Sequence, residues 1–232
     1  MRRKGFTLVE LLITIGIIAL LMGLLMPALA GAREQSRKTK CANNLRALAT
    51  AVNWYCQDNH GFFPSLGVQP QQPSDWIWWS GQTPDDFKQG ALIKYLGTGA
   101  DPSVFRCPSD EWEEHQSIGA MLRQVYYYSY MMNPFTQIQR WDCCLIGMPC
   151  RLSSVRNSSD KILLIDGSSD AVIDGAWVPP PQIGSINDDL ADRHDMHHSA
   201  VSNDARGNVV FTDTHVEFVT RAFAHDPQHY QP

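Results

Sequence analysis

The sequence predicts an α+β protein in which one long amino-terminal helix packs on a small antiparallel β-sheet domain with long loops. Three observations predict it. An almost unbroken apolar run covers residues 6–30 of the 232. Beyond it Leu45, Leu48, Val52 and Tyr55 recur at the three-and-four spacing of one helix face. Short β-prone segments, separated by stretches rich in Pro, Gly and polar residues, fill the remainder without any internal repeat.

The apolar run sets the topology. At roughly 1.5 Å per residue a helix from Phe6 to Ala30 spans about 38 Å, enough to cross a ~30 Å hydrocarbon core with some tilt. Arg2, Arg3 and Lys4 are the only charges ahead of it, so the amino end is expected in the cytoplasm and the rest exported. Glu10 is costly in hydrocarbon, on the order of 2.5–3.5 kcal/mol when ionised, which marks it as functional by default. A secretory signal peptide also begins basic and then apolar, and Ala28-Leu29-Ala30 offers the small residues at which one would be cut.

The stretch Lys4-Gly5-Phe6-Thr7-Leu8-Val9-Glu10-Leu11-Leu12 resembles the class III leader of type IV pilins and type II secretion pseudopilins. The resemblance implies a pilin-like fold, and cleavage by prepilin peptidase between Gly5 and Phe6, with N-methylation of the new Phe6 amine. It implies that Glu10 pairs with the amino terminus of a neighbouring subunit, the partner a buried carboxylate requires. Four segments follow: a leader at residues 1–5, a transmembrane and assembly helix at 6–30, its amphipathic continuation at 31–57, and an exported globular β-rich domain at 58–232. The implied location is the bacterial inner membrane, single-pass, with the carboxy-terminal domain periplasmic or at the cell surface. Pro27 falls late in the anchor, where pilin helices tolerate a kink. The segments Cys41–Tyr55 and Val104–Ser109 also resemble a large bacterial group of pseudopilin-like proteins.

The helix is expected to end at Asp58-Asn59-His60-Gly61, with Gly61 as the C′ residue and Pro64 shortly after. A cluster of Trp76, Trp78 and Trp79 either plugs its loop onto the core or stacks on sugars. Phe87–Leu96 reads as a short helix ended by Gly97. Strands are expected at Tyr126–Met131, Lys161–Ile165, Asn208–Thr212 and His215–Val219, the last two flanking Asp213-Thr214.

Net charge is -5, and loss of the leader would take it to about -8 over about 227 residues. An acidic body argues against a nucleic-acid groove. The one dense basic stretch, Arg33, Arg37, Lys38, Lys40 and Arg46, lies just past the membrane exit and suits headgroups or adjacent subunits. Six cysteines, Cys41, Cys56, Cys107, Cys143, Cys144 and Cys150, are disulfide candidates in an oxidising compartment. Cys41 and Cys56 on one helix would be about 22 Å apart, far beyond the ~7 Å bridging limit.

Between Arg193 and His215 the chain is rich in His and Asp. The segment from Asn208 to Val216 resembles the carboxy-terminal H-x9-DG signature of pilin-like proteins. Here Thr214 replaces the signature's glycine, a poor residue where a type I′ hairpin asks for positive φ. His198 lies fifteen positions before Asp213 and His194 nineteen, so either matches the family histidine only with an insertion. His194, His197, His198, Asp213 and His215 could converge on zinc. Asn187, Asp188, Asp189 and Asp192 offer hard oxygen ligands for calcium. The alternative is that these side chains pin the loop to the hairpin by hydrogen bonds, with no cofactor.

The expected function is therefore a non-enzymatic structural subunit, assembled through its helix into a type II secretion or type IV pilus-like filament. Its partners would be prepilin peptidase, other pilin or pseudopilin subunits, the secretion or pilus machinery and the membrane, with no nucleic acid. A membrane-anchored surface protein binding glycan or secreted cargo is the alternative. A metal-dependent hydrolase ranks lower, since no Gly-x-Ser-x-Gly elbow or His-Glu-x-x-His helix is present.

Overall fold

The computed structural model describes residues 7–67, 71–80, 83, 85–97, 99–110, 127–133, 150–167, 175–177, 206–224 and 226–231. Helix α1 runs from Leu8 to Asp58, 51 residues. Two compact units divide the chain, Met1–Arg37 and Lys38–Pro232. The architecture is pilin-like: a long apolar amino-terminal helix and a packed four-stranded antiparallel sheet.

In the first unit the apolar side chains of α1 from Leu8 to Leu29 are exposed. By length and composition this helix can cross a membrane. Pro27 sits within it without ending it. The N–H that proline lacks would have met the carbonyl of Gly23, four residues back.

In the second unit the same helix becomes the spine of a core. Cys41, Leu45, Leu48, Ala49, Val52 and Cys56 are buried at the three-and-four spacing the sequence displays. The helix stops as a Schellman motif. Gly61 donates its N–H to the Cys56 carbonyl at 2.7 Å, six residues spanned, and His60 holds φ +56. The C′ residue is therefore His60 and not Gly61, which follows it at φ +84. Histidine tolerates the left-handed region better than most side chains, so the termination survives without glycine at C′.

The sheet has strand order β1-β2-β3-β4, all neighbours antiparallel, with β1 Tyr130–Met132, β2 Ile162–Asp166, β3 Arg206–Phe211 and β4 Val216–Thr220. The aromatic run thus forms strand only at its end: Tyr127–Ser129 is non-strand because Ser129 turns away to bond the Phe105 carbonyl at 3.0 Å. Every residue of β2 is buried, as the apolar run Ile162–Ile165 demands, and the charged Asp166 at its end is buried with them. Side-chain alternation places Tyr130, Leu164, Asp166, Asn208, Val210 and Phe218 on one face. That face meets α1: Asn208 Nδ2 donates to the Lys38 carbonyl at 3.3 Å, and Lys38 Nζ stands 3.0 Å above the Phe218 ring. The outer edge of β1 is covered by residues 175–177, Trp177 donating to the Met132 carbonyl at 2.9 Å.

Two 3₁₀ turns, Asp86–Gln89 and Ile93–Tyr95, replace the single short helix expected over Phe87–Leu96. Gly90 interrupts it, extended at φ -67 and ψ 148 and packed 3.0 Å (as an added Cβ would measure) from the Trp78 nitrogen. Gly97 ends the segment at φ +92 as expected. At the carboxy terminus, His229 closes the domain. Its ring stacks on Phe223 at 3.8 Å and its Nδ1 lies 2.8 Å from Asp160 Oδ1. Lys161 Nζ donates to the Gln228 carbonyl alongside.

Candidate functional site

The amino-terminal end of α1 is built from Thr7 and Glu10. Thr7 donates its backbone N–H and its hydroxyl to Glu10 Oε2, each at 2.8 Å. The Glu10 N–H returns a bond to Thr7 Oγ1 at 3.3 Å. This is a capping box, in which side chain and backbone satisfy one another at the first helical turn. An ionised carboxylate accepts about four hydrogen bonds, so Glu10 keeps room for a cation after serving Thr7. The sequence reading assigned Glu10 to an intermolecular pair and missed this local role, although Thr-x-x-Glu is its signature. Gly5 and Phe6 lie outside the described residues.

Of the tryptophan cluster, Trp76 and Trp79 are core and not display, while Trp78 is half-buried. Trp76 and Trp79 are buried, and Trp76 Nε1 donates to the carbonyls of Leu66 at 2.8 Å and Gly175 at 3.0 Å. Phe105 packs against Trp76, Phe87 and Tyr128 in tilted and edge-on contacts with ring centroids within 6.1 Å. No sugar platform survives on these two indoles.

Of the residues considered for metal, His194, His197 and His198, with the calcium candidates Asn187, Asp188, Asp189 and Asp192, lie outside the described residues; Asp213 and His215 are described. The two sit in the β3–β4 hairpin loop. Asp213 Oδ1 accepts from the His215 N–H at 3.1 Å and lies 2.5 Å from His215 Nδ1. The imidazole stacks on Phe211 at 4.2 Å, with Glu217 Oε1 3.6 Å from Nε2. These bonds fix the turn. The turn itself is not type I′: Thr214 donates to the Phe211 carbonyl and Phe211 to the His215 carbonyl, both at 2.9 Å. Thr214 alone of the three loop residues has positive φ, +78. A three-residue loop with one left-handed position results, which is where the signature's glycine belongs.

The cysteines divide by element. Cys41 and Cys56 lie on α1, Cys107 follows the 3₁₀ turn Pro102–Phe105, and Cys150 precedes the Leu152–Ser154 turn; all four are thiols. Cys143 and Cys144 lie outside the described residues. Burial pushes the Cys56 thiol up to about 12, which keeps it protonated. Cys41, Cys107 and Asp166 come together with the Tyr130 hydroxyl in the buried seam between α1 and the sheet. Burial, with Cys107 and Asp166 adding to it, raises the Cys41 thiol well above its ordinary value. The sequence reading treated these cysteines as disulfide candidates and gave Asp166 no role, so it missed the cluster.

Residues 1–26 match the model of the prokaryotic N-terminal methylation motif. The chain has a prepilin-type amino terminus. The chain is 38% identical over 61 residues to type II secretion system core protein G of Escherichia coli strain K12, covering 26% of this chain and 42% of that protein. It is 27% identical over 114 residues to core protein G of Aeromonas hydrophila, covering 48% and 68%. The Dickeya chrysanthemi protein of the same name is 27% identical over 114 residues, covering 48% and 64%. The chain thus spans about two fifths to two thirds of the length of these curated relatives. No solved structure matches it. The methylation motif on an apolar helix long enough to cross a membrane, with similarity to type II secretion system core proteins, points to membrane anchoring.

Proposed function

We propose that this chain is a structural subunit of the pseudopilin class. Prepilin peptidase removes residues 1–5, and the mature subunit polymerises through α1 into a secretion or pilus-like filament. The observation that carries the reading is α1 itself. One continuous helix exposes an apolar anchor on all sides in Leu8–Leu29 and buries one face as a domain spine from Cys41 onward. Such a division suits a protein whose first half meets lipid and like helices while its second half holds a folded body.

Glu10 supports the same reading. An acid placed in an apolar segment needs a cationic partner, and the free amine of an adjacent mature subunit supplies one without adding a charged side chain. The capping box orients the carboxylate before that partner arrives. The amino end lies in the cytoplasm and the Lys38–Pro232 unit on the exported side, by the charge asymmetry of Arg2, Arg3 and Lys4.

The test is Glu10→Val in the native host, with peptidase processing and filament co-assembly scored separately. Leader removal is expected to continue while cross-linking between neighbouring α1 helices falls at least about tenfold, the loss of a partly buried charge pair worth ~1.4 kcal/mol or more. Assembly at the wild-type level would remove Glu10 from the mechanism.

A further inference from the structure

Among the described residues, one group of potential metal ligands gathers in space: Cys41 Sγ, Cys107 Sγ and an Asp166 carboxylate oxygen all lie within 4.8 Å of one another. Their exposures are 0%, 2% and 0%. Cys41 Sγ is 2.9 Å from Asp166 Oδ2 and 3.2 Å from the Tyr130 hydroxyl. Tyr130 is the direct cross-strand neighbour of Asp166, so both side chains leave the sheet toward the helix. We propose that Cys41, Cys107 and Asp166 bind a structural divalent ion of the zinc class, with the Tyr130 oxygen at the fourth position.

The donor set argues for that ion. Two thiolates and a carboxylate match the borderline-soft preference of zinc and exclude calcium or magnesium, which take oxygen alone. Around a tetrahedral ion with bonds of about 2.0–2.3 Å, ligand atoms stand roughly 3.3–3.8 Å apart. The Cys41–Asp166 and Cys41–Tyr130 separations of 2.9 and 3.2 Å fall just short of that spacing, and all three ligand atoms lie within 4.8 Å, so shifts of no more than about 1 Å bring the set onto an ion. The ligands are held from behind. Asn44 Nδ2, one helical turn past Cys41, donates to the carbonyls of Ser103 at 2.9 Å and Arg106 at 3.0 Å, fixing the turn that presents Cys107. The Cys107 N–H donates to Ser129 Oγ at 2.8 Å. Orientation of ligands by such outer contacts is general in metal sites. A surface cavity of about 270 Å³, lined by Cys107, Arg106, Asp110 and Lys40, gives an entry path.

A disulfide between Cys41 and Cys107 is the competing use of the two sulfurs. It would need a thiol–disulfide exchange partner to take two electrons and two protons. It would also remove the S–H that Asp166 Oδ2 accepts, leaving a fully buried carboxylate with one donor fewer. A divalent ion exchanges for the same two thiol protons and leaves the net charge of the cluster unchanged. Asp166 is redundant to a disulfide and necessary to a metal. The ion would tie α1, the Cys107 loop and the β1–β2 edge together, independently of whether the subunit polymerises.

The test uses the full chain extracted in detergent from membranes, without chelator. Elemental analysis is expected to find about one zinc per chain, and Cys41→Ser, Cys107→Ser and Asp166→Asn each to lower it at least about tenfold, with Cys150→Ser as the unaffected control. Where a variant fails to fold, the wild type decides alone. Chelation should expose Cys41 and Cys107 together to alkylation, and Co²⁺ added to the stripped protein should give a thiolate charge-transfer band. A Cys41–Cys107 disulfide in the extracted protein, free thiols without metal, or zinc retained by both cysteine variants would each overturn the proposal.

Discussion

Thr214 holds φ +78 at the tip of the β3–β4 hairpin, a left-handed conformation that costs a β-branched residue on the order of 1–3 kcal/mol. Glycine adopts it freely but loses more entropy on folding. Thr214→Gly is therefore expected to stabilise the protein by about 1 kcal/mol, read as a rise of roughly 2–4 °C in Tm. An unchanged or lowered Tm would show that the loop relieves the strain elsewhere. Asp75 carries the opposite kind of tension. Burial pushes its carboxyl up to about 6, against the N–H groups of Gln72 and Gly67 that favour the ionised form. The folded protein thus holds this proton more tightly than the unfolded chain does. The resulting stability is fully present below about pH 4 and is lost as pH rises through about 6. Asp75→Asn should flatten that part of the stability curve and gain about 2 kcal/mol at pH 8 relative to the wild type. Urea unfolding at pH 4, 6 and 8 measures it, and parallel curves for the two proteins would count against the assignment. Neither residue could be singled out from sequence for these reasons. The poor fit of threonine was legible, but the loop length that makes it a single left-handed position was not.

At the scale of elements, α1 was the most legible part of the chain, because its signals are local. Hydrophobic spacing and the stop at residues 58–61 lie within a few positions of the backbone they govern, as does the Thr7–Glu10 cap, whose signature was equally local although the sequence reading passed over it. The segment Phe87–Leu96 misled for the reverse reason. Its local pattern is helical, yet Gly90 must pass close to the backbone of Ile77 and Trp78, a tertiary demand that splits it into two turns. Edge protection of the sheet rests on a similar approach. A Cβ at Gly175 would clash with the Leu66 carbonyl oxygen and stand 3.0 Å from the Trp76 indole nitrogen. Gly175→Ala should therefore displace the strap over β1 and cost about 1–3 kcal/mol, as overpacking against backbone does. Thermal unfolding together with faster amide exchange at Met132 and Trp177 would report it. Protection unaltered at those amides would mean that the strap yields without loosening the sheet.

For the whole molecule, the decisive prediction concerns where the mature chain begins. Peptide mapping of the membrane-bound protein is expected to find a methylated amine on Phe6; a chain still starting at Met1, or one trimmed after Ala30, would remove the basis for polymerisation. The sequence by itself determined the apolar amino-terminal segment, the long helix and the four strands found among the described residues, since each depends on composition and spacing within a short window. Only the tertiary structure decided which polar residues meet in the interior. Cys41 and Asp166 are 125 positions apart and Cys41 and Tyr130 are 89 apart, and neither helical nor strand periodicity carries any signal across such distances. They are brought together because a buried helix face and a buried sheet face must pack, and the register of that packing, set by the surrounding apolar side chains, selects the partners.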